Sequence, residues 1–180
     1  MSIYRKLIYK FRTVGSNSAL ASIPIGQLAL NMIVQRFFRL NCEFANSIHF
    51  ASRYSGRTNF NFDANCPKIL TSFAVSGGCY FVAFEGTQLS IGTGTIWSNN
   101  VCIQTGNHGL RNRDDYRCSS ISIGRNCWLG YGAVILPGVN LGDNITVGAN
   151  AVVSKSFPSN CVIAGVPARV IRDLDDSDEG

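Results

Sequence analysis

Between positions 123 and 157 an aliphatic residue returns at every sixth position: Ile123, Leu129, Ile135, Leu141, Val147 and Val153. Glycine follows four of these six, at Gly124, Gly130, Gly142 and Gly148. Small or apolar residues stand two before each later one: Cys127, Ala133, Val139, Ile145 and Ala151. A period of six is neither the roughly 3.6 of a helix nor the roughly 2 of an ordinary strand. It is the period of a parallel β-helix, in which each hexad makes one short flat side of a coil. Three hexads close a triangular coil, so Ile123 is expected to stack on Leu141 and Leu129 on Val147. The core of such a solenoid is a narrow column, with one aliphatic layer per side.

The same phase runs upstream. Ile91 with Gly92, Trp97 and Ile103 begin three hexads and make one coil. The next hexad is due at 109 and does not come. Residues 109–122 intervene, rich in Arg111, Asn112, Arg113, Asp114, Asp115, Tyr116 and Arg117, before Ile123 resumes the phase. A solenoid accommodates an insertion only where the chain loops out at a corner and returns. The segment is therefore read as an extruded loop with His108 at its base. From 42 to 85 the repeat is degenerate, and Ile48, Phe50, Phe60, Phe62, Ile69, Phe73, Tyr80, Phe81 and Phe84 are read as larger core residues of irregular β coils. Residues 1–41 stand apart. Leu28, Ile33, Phe37 and Leu40 fall at helical spacings, with Pro24 suited to a first turn, and this segment is expected to cap the open end of the coil. After Pro158 the hexads stop, and residues 161–172 read as a terminal strand and turn in which Pro167 breaks the ladder. The organisation expected is a helical cap over 1–41, a β-helix domain over 42–172 and an acidic tail over 173–180.

Length and composition fit one domain: 180 residues, eighteen glycines and only 15% charged residues suit a fold of tight corners. The net charge of +5 is unevenly spread. Residues 1–42 carry Arg5, Lys6, Lys10, Arg12, Arg36 and Arg39 and no acid, while Asp173, Asp175, Asp176, Asp178 and Glu179 crowd the last eight positions. The basic segment offers a peripheral contact to anionic lipid or an anionic substrate, and reads equally as a solvated helix face. The acidic tail reads as frayed and solvated. Seven cysteines, odd in number and without framework spacing, read as reduced thiols in a cytoplasmic protein, Cys127 in an inward slot of the repeat. No CxxC pair supports a metal site. The most apolar run, 19–34, is interrupted by Pro24, Gly26, Gln27 and Asn31, so the chain is read as soluble and unprocessed. No motif points to nucleic acid.

Three segments carry a resemblance to a known family: Thr105-Gly106-Asn107-His108 before the insertion; 123–139, with Ile123-Gly124-Arg125-Asn126-Cys127-Trp128-Leu129-Gly130; and 147–155 leading to Ala164-Gly165-Val166-Pro167-Ala168-Arg169. Over its last half the chain resembles the hexapeptide-repeat acyltransferases. It is similar to the maltose, galactoside and nodulation sugar O-acetyltransferases, and above all to those encoded with capsule and O-antigen biosynthesis. The resemblance implies an all-β, left-handed parallel β-helix, a homotrimer, and acetyl-CoA in the groove between subunits. The left hand is an implication of the resemblance alone.

Acetyl transfer from a thioester to a sugar hydroxyl needs a base, and an imidazole is the natural proton acceptor near neutral pH. The chain has two histidines. His49, inside Ile48-His49-Phe50, reads as structural, whereas His108 matches the family's catalytic base. Glu85 and Asn107 are the candidates to orient it. An acyl-cysteine route through Cys102 or Cys118 lacks an evident activating base. For acetyl-CoA the resemblance points to Trp128, Ala149, Ser154, Lys155, Arg169 and Arg172. Trp128 also reads as a packed corner, and the cations as a solvated basic edge. For the sugar or polysaccharide acceptor it points to Glu85 and Asn107, with Arg111 from the extruded loop. Three arginines there suit an anionic sugar, and internal Arg–Asp pairs are the blander reading. Two histidines do not make a three-histidine zinc site, so no metal is expected. The alternatives are an N-acetyltransferase acting on a nucleotide-linked amino sugar and a catalytically silent scaffold.

Overall fold

A computed structural model describes residues 20–174. The basic residues Arg5, Lys6, Lys10 and Arg12 and the acids from Asp175 onward lie outside the described residues. Three parallel sheets form the sides of a coil. Sheet I holds Arg53–Ser55, Tyr80–Val82, Cys102–Gln104, Val134–Ile135 and Val152–Val153. Sheet II holds Phe60–Phe62, Leu89–Ile91, Ile121–Ile123 and Asn140–Leu141. Sheet III holds Ile96–Trp97, Trp128–Leu129, Ile145–Val147 and Cys161–Ala164, edged by the antiparallel strand Arg169–Asp173. The chain visits them in the order I, II, III and returns.

The register follows the period of six. Ile123 pairs with Leu141 and Ile91, Leu129 lies between Trp97 and Val147, and Ile135 lies between Ile103 and Val153. All of these are buried, as are Cys127, Ala133, Val139, Ile145 and Ala151 two positions earlier. The glycine after the aliphatic residue has a steric cause. Gly92, Gly124 and Gly142 stack at the corner between sheets II and III. A Cβ on Gly92 meets the Gly124 carbonyl carbon at 2.5 Å, and one on Gly142 meets the Ser159 nitrogen at 2.5 Å. The same corner carries Asn126, Asn144 and Asn160 with positive φ, a conformation asparagine tolerates.

Upstream, the structure corrects the irregular β coils expected over 42–85. Ile69 and Phe73 are helical: Pro67–Val75 is an α-helix with proline in its first turn, standing where sheet III needs a strand. Ile69, Leu70, Phe73 and Ala74 are buried, and the Phe73 ring meets Trp97 edge-on at 4.9 Å. The helix also covers the edge of sheet III. The Trp97 nitrogen donates to Ser72 Oγ at 3.4 Å, and Ser76 Oγ donates to the Trp97 carbonyl at 2.7 Å. Backbone groups that a further strand would have paired are thus paired by serines.

The N-terminal helix spans Ile25–Arg36, but it does not bury the face the apolar spacing predicts. Leu28, Asn31 and Gln35 are buried, whereas Ile33, Phe37 and Leu40 are exposed. The polar side chains dock the helix. Gln27 Nε2 and Asn31 Nδ2 each donate to the Ala74 carbonyl at 3.0 Å, and Asn31 Oδ1 accepts from the Phe50 nitrogen at 3.0 Å. Gln35 Nε2 donates to the carbonyls of Phe44 at 2.8 Å and Asn46 at 2.9 Å. Open carbonyls at the end of the coil thus select amides over aliphatics.

The extruded segment is also more ordered than a loop. Gly106–His108 and Tyr116–Cys118 pair as an antiparallel hairpin, and the coil resumes at Ile121, opposite Leu89.

Two substitutions probe the two kinds of core. Ile135→Ala empties part of the aliphatic column and is expected to lower the unfolding free energy by about 2–5 kcal/mol. Asn31→Leu keeps the branched shape of the side chain but strands the Phe50 N–H and leaves the Ala74 carbonyl with Gln27 alone, with an expected loss of about 1–3 kcal/mol. Urea unfolding followed by circular dichroism reads both, and an unchanged midpoint for either contradicts its assignment.

Candidate active site

The hairpin rises from the corner between sheets I and II, rooted on Thr105, which is buried. Thr105 Oγ1 accepts from the Phe84 nitrogen at 2.9 Å and lies 2.6 Å from Thr87 Oγ1. The Thr87 hydroxyl donates to the Phe84 carbonyl at 2.7 Å, so the proton between the two threonines is that of Thr105. The Thr105 carbonyl accepts from the Ser119 nitrogen at 2.8 Å, which closes the hairpin's root. One buried hydroxyl therefore ties the 84–87 turn to the element that carries His108.

His108 ends the first arm of the hairpin and is exposed. Its Nδ1 lies 2.6 Å from the Arg113 carbonyl. A carbonyl only accepts, so Nδ1 carries the hydrogen. In the neutral ring Nε2 then keeps a free lone pair, the state a general base requires. Residues 109–115 form a small folded cap that presents this carbonyl. The Gly109 nitrogen donates to the Asp115 carbonyl at 2.7 Å, and the Arg113 guanidinium donates to the Gly109 carbonyl at 2.6 Å. The Tyr116 ring sits 4.7 Å from the imidazole and 5.9 Å from Phe84, between the two.

The group at Nδ1 is neither of the two candidates read from the sequence. Asn107 Oδ1 accepts from Gln104 Nε2 at 2.6 Å. Glu85 is exposed in the turn that follows Phe84. Arg111 is exposed in the cap, and Arg113 binds a backbone carbonyl where an Arg–Asp pair was the blander expectation. The Arg113 carbonyl and the Tyr116 ring were missed because a backbone oxygen leaves no signature in residue type. The pairing of Tyr116 with His108 needs the hairpin register.

The remaining candidates fall into two groups. Glu85, His108, Ser154 and Lys155 all follow strands of sheet I, so they line one corner of the coil. Lys155 Nζ stands 5.4 Å over the Phe157 ring. Trp128 projects from sheet III, half exposed, between Ile96 and Thr146. Ala149 lies at the next corner, where a Cβ on Gly130 meets its nitrogen at 2.8 Å. Arg169 and Arg172 lie on the terminal strand of sheet III, Arg169 donating to the Ala168 carbonyl at 2.8 Å. Within one chain the width of sheet I separates the His108 corner from the Ala149 corner, and the structure does not bring His108 and Trp128 together.

Several other reactive groups are muted. Burial pushes the thiols of Cys79, Cys102, Cys127 and Cys161 up, which makes them poor nucleophiles near neutral pH. His49 Nδ1 accepts from the Ala51 nitrogen at 3.1 Å, its ring stacks on Phe50 at 4.5 Å, and burial pulls its pKa down. It is a neutral structural imidazole. Among the described residues no cluster of three His, Cys, Asp or Glu forms a metal cage, and no helix is long and apolar enough to cross a membrane.

Residues 120–155 match the family model described as the hexapeptide repeat of succinyl-transferase. The chain is 32% identical over 153 residues to the putative lipopolysaccharide biosynthesis O-acetyl transferase WbbJ of Escherichia coli strain K12, covering 76% of this chain and 78% of that protein. It is 42% identical over 95 residues to the galactoside O-acetyltransferase of the same organism, covering 51% of this chain. The match spans about half the length of that relative, 47%. A solved galactoside acetyltransferase in complex with coenzyme A superposes with a TM-score of 0.50 and 33% identity, covering 60% of each chain. With the periodic core, the parallel register and a relative matched over most of its length, the chain belongs to the hexapeptide-repeat acyltransferase family.

Proposed function

We propose that this protein transfers the acetyl group of acetyl-CoA to a sugar hydroxyl in surface-polysaccharide biosynthesis, with His108 as general base. The observation that carries this reading is the 2.6 Å contact between His108 Nδ1 and the Arg113 carbonyl, which leaves Nε2 as the proton acceptor at an exposed corner. The names of the relatives support the transferred group and the acceptor class: both are O-acetyltransferases, one of a galactoside and one assigned to lipopolysaccharide biosynthesis.

Acetyl-CoA enters as co-substrate and supplies an activated acyl thioester. The residues present fit it. Trp128 offers an exposed indole for the pantetheine arm, Ala149 allows close backbone approach, and Lys155, Arg169 and Arg172 suit phosphate oxygens. Ser154, beside Lys155, belongs to the same binding set. His108 Nε2 takes the hydroxyl proton as the sugar oxygen bonds to the acyl carbon. The C–S bond breaks, and the imidazolium returns the proton to the departing sulfur. The Nδ1–H to Arg113 bond sets the tautomer of the neutral ring, holds its orientation throughout and stabilises the imidazolium. Glu85, Asn107 and Arg111 face the acceptor side. Burial raises the pKa of the Cys102 thiol, which favours direct transfer over an acyl-cysteine at that residue.

The separation of the His108 corner from Trp128 supports a site completed by a second copy. In this reading the coil is left-handed, the protein is a trimer acting in the cytoplasm, and one subunit's His108 corner faces its neighbour's sheet III. Closed ring symmetry repeats that site at each interface.

Acceptor-dependent thiol release is the direct assay, run across neutral hexosides, amino sugars, sialic acids and capsule oligomers. His108→Ala is expected to lower turnover by about 10²–10⁴-fold while acetyl-CoA still binds. Near-normal turnover overturns the base assignment, and an amide product replaces O- with N-acetyl transfer. Trp128→Ala is expected to weaken turnover as well. Mixed oligomers of His108→Ala and Trp128→Ala chains regain roughly a quarter of the sites if each site draws on two subunits. No recovery above the single variants puts the two residues outside a shared site.

A further inference from the structure

The helix Ile25–Arg36 presents the wrong face to solvent for a soluble protein. Its amides, Gln27, Asn31 and Gln35, point into the body of the protein and are hydrogen-bonded there. Its opposite face and the turn after it expose Ile25 at 74%, Ile33 at 47%, Phe37 at 78% and Phe38 at 64%, flanked by Leu30 and Leu40. One helical repeat brings Ile33 and Phe37 side by side, with Leu30 on the same stripe. Scattered apolar residues on a surface need no explanation, but a contiguous patch with two aromatic rings does. Arg36 and Arg39 border it, and the sequence before it adds Arg5, Lys6, Lys10 and Arg12. No acid occurs before Glu43.

We propose that this face docks on a lipid surface carrying anionic headgroups. The charge decides between occupants. A second copy of this chain brings the same uncompensated bases to the contact, and residues 1–19 carry only the same sign, so neither neutralises the rim. An anionic bilayer does. Aromatic and aliphatic side chains inserted at headgroup depth, with arginines at the phosphates, supply the two signals that stable peripheral binding needs. The patch sits at the N-terminal end of the coil, on the outer side of a helix whose inner side docks against Pro67–Val75. Docking there leaves His108 open, and the inference stands apart from the catalytic reading.

The test is cosedimentation of the full chain with vesicles of phosphatidylcholine, with and without phosphatidylglycerol. Binding to the mixed vesicles is expected to be at least about tenfold tighter than to phosphatidylcholine alone and to weaken with added salt. Ile33→Glu/Phe37→Glu is expected to lose about tenfold or more of that binding at an unchanged thermal midpoint. Arg36→Gln/Arg39→Gln, which leaves the apolar face intact, is expected to flatten the salt dependence. Equal binding to neutral vesicles, or unaltered binding of both double variants, overturns the proposal. A smaller oligomer for Ile33→Glu/Phe37→Glu without lipid assigns the face to another copy and overturns it too. So does loss of all binding on removing residues 1–19 while Ile33→Glu/Phe37→Glu binds normally.

Discussion

Registered stacking of one aliphatic side chain on the next holds this coil together. A triangle of two- and three-residue strands has too little ladder per side to stand alone. Each coil is stable only because its inward residues continue the column of the coil before it. Ile91, Ile123 and Leu141 form one edge of that column, Trp97, Leu129 and Val147 another, and Ile103, Ile135 and Val153 the third. Because the column is narrow, the corners must be narrow as well. Hence Gly92, Gly124 and Gly142 lie one above another with no room for a Cβ.

The same constraint explains where chemistry is placed. A side of the coil has no freedom to carry an irregular functional loop, since any insertion within a strand shifts the phase of everything after it. Between sheets I and II the chain leaves and returns in register, Ile121 opposite Leu89 and Ile123 opposite Ile91. Thr105 anchors the departure through both its hydroxyl and its carbonyl, so the hairpin is rigidly joined to a rigid column. His108 inherits that rigidity, and the Arg113 carbonyl fixes its ring. A backbone carbonyl is well suited to hold an imidazole, because it cannot rotate away from its peptide and it only accepts.

At the N-terminal end the column must stop, and the solution changes in kind. A helix replaces the missing strand, aromatic rings widen the core, and serines and amides meet the carbonyls left open. Using polar side chains for internal docking turns the apolar side of Ile25–Arg36 outward. The exposed hydrophobic face and the capped coil end are thus two consequences of one arrangement.

From residue order alone the period of six determined the parallel coil, the stacking partners from Ile91 onward, the point of insertion and the exposed histidine at its base. These were legible because each depends on a local repeat that every coil restates. The helix Pro67–Val75 and the buried face of Ile25–Arg36 were not. In both, apolar spacing was outweighed by the backbone groups left unpaired at the coil's end, a demand invisible until the strands are in place. The Arg113 carbonyl and the placing of Tyr116 against His108 were likewise decided by tertiary structure, because hairpin register joins residues that share no sequence pattern. The separation of His108, at the corner between sheets I and II, from Trp128 on sheet III is of the same kind, since it follows from which side of the triangle each strand joins.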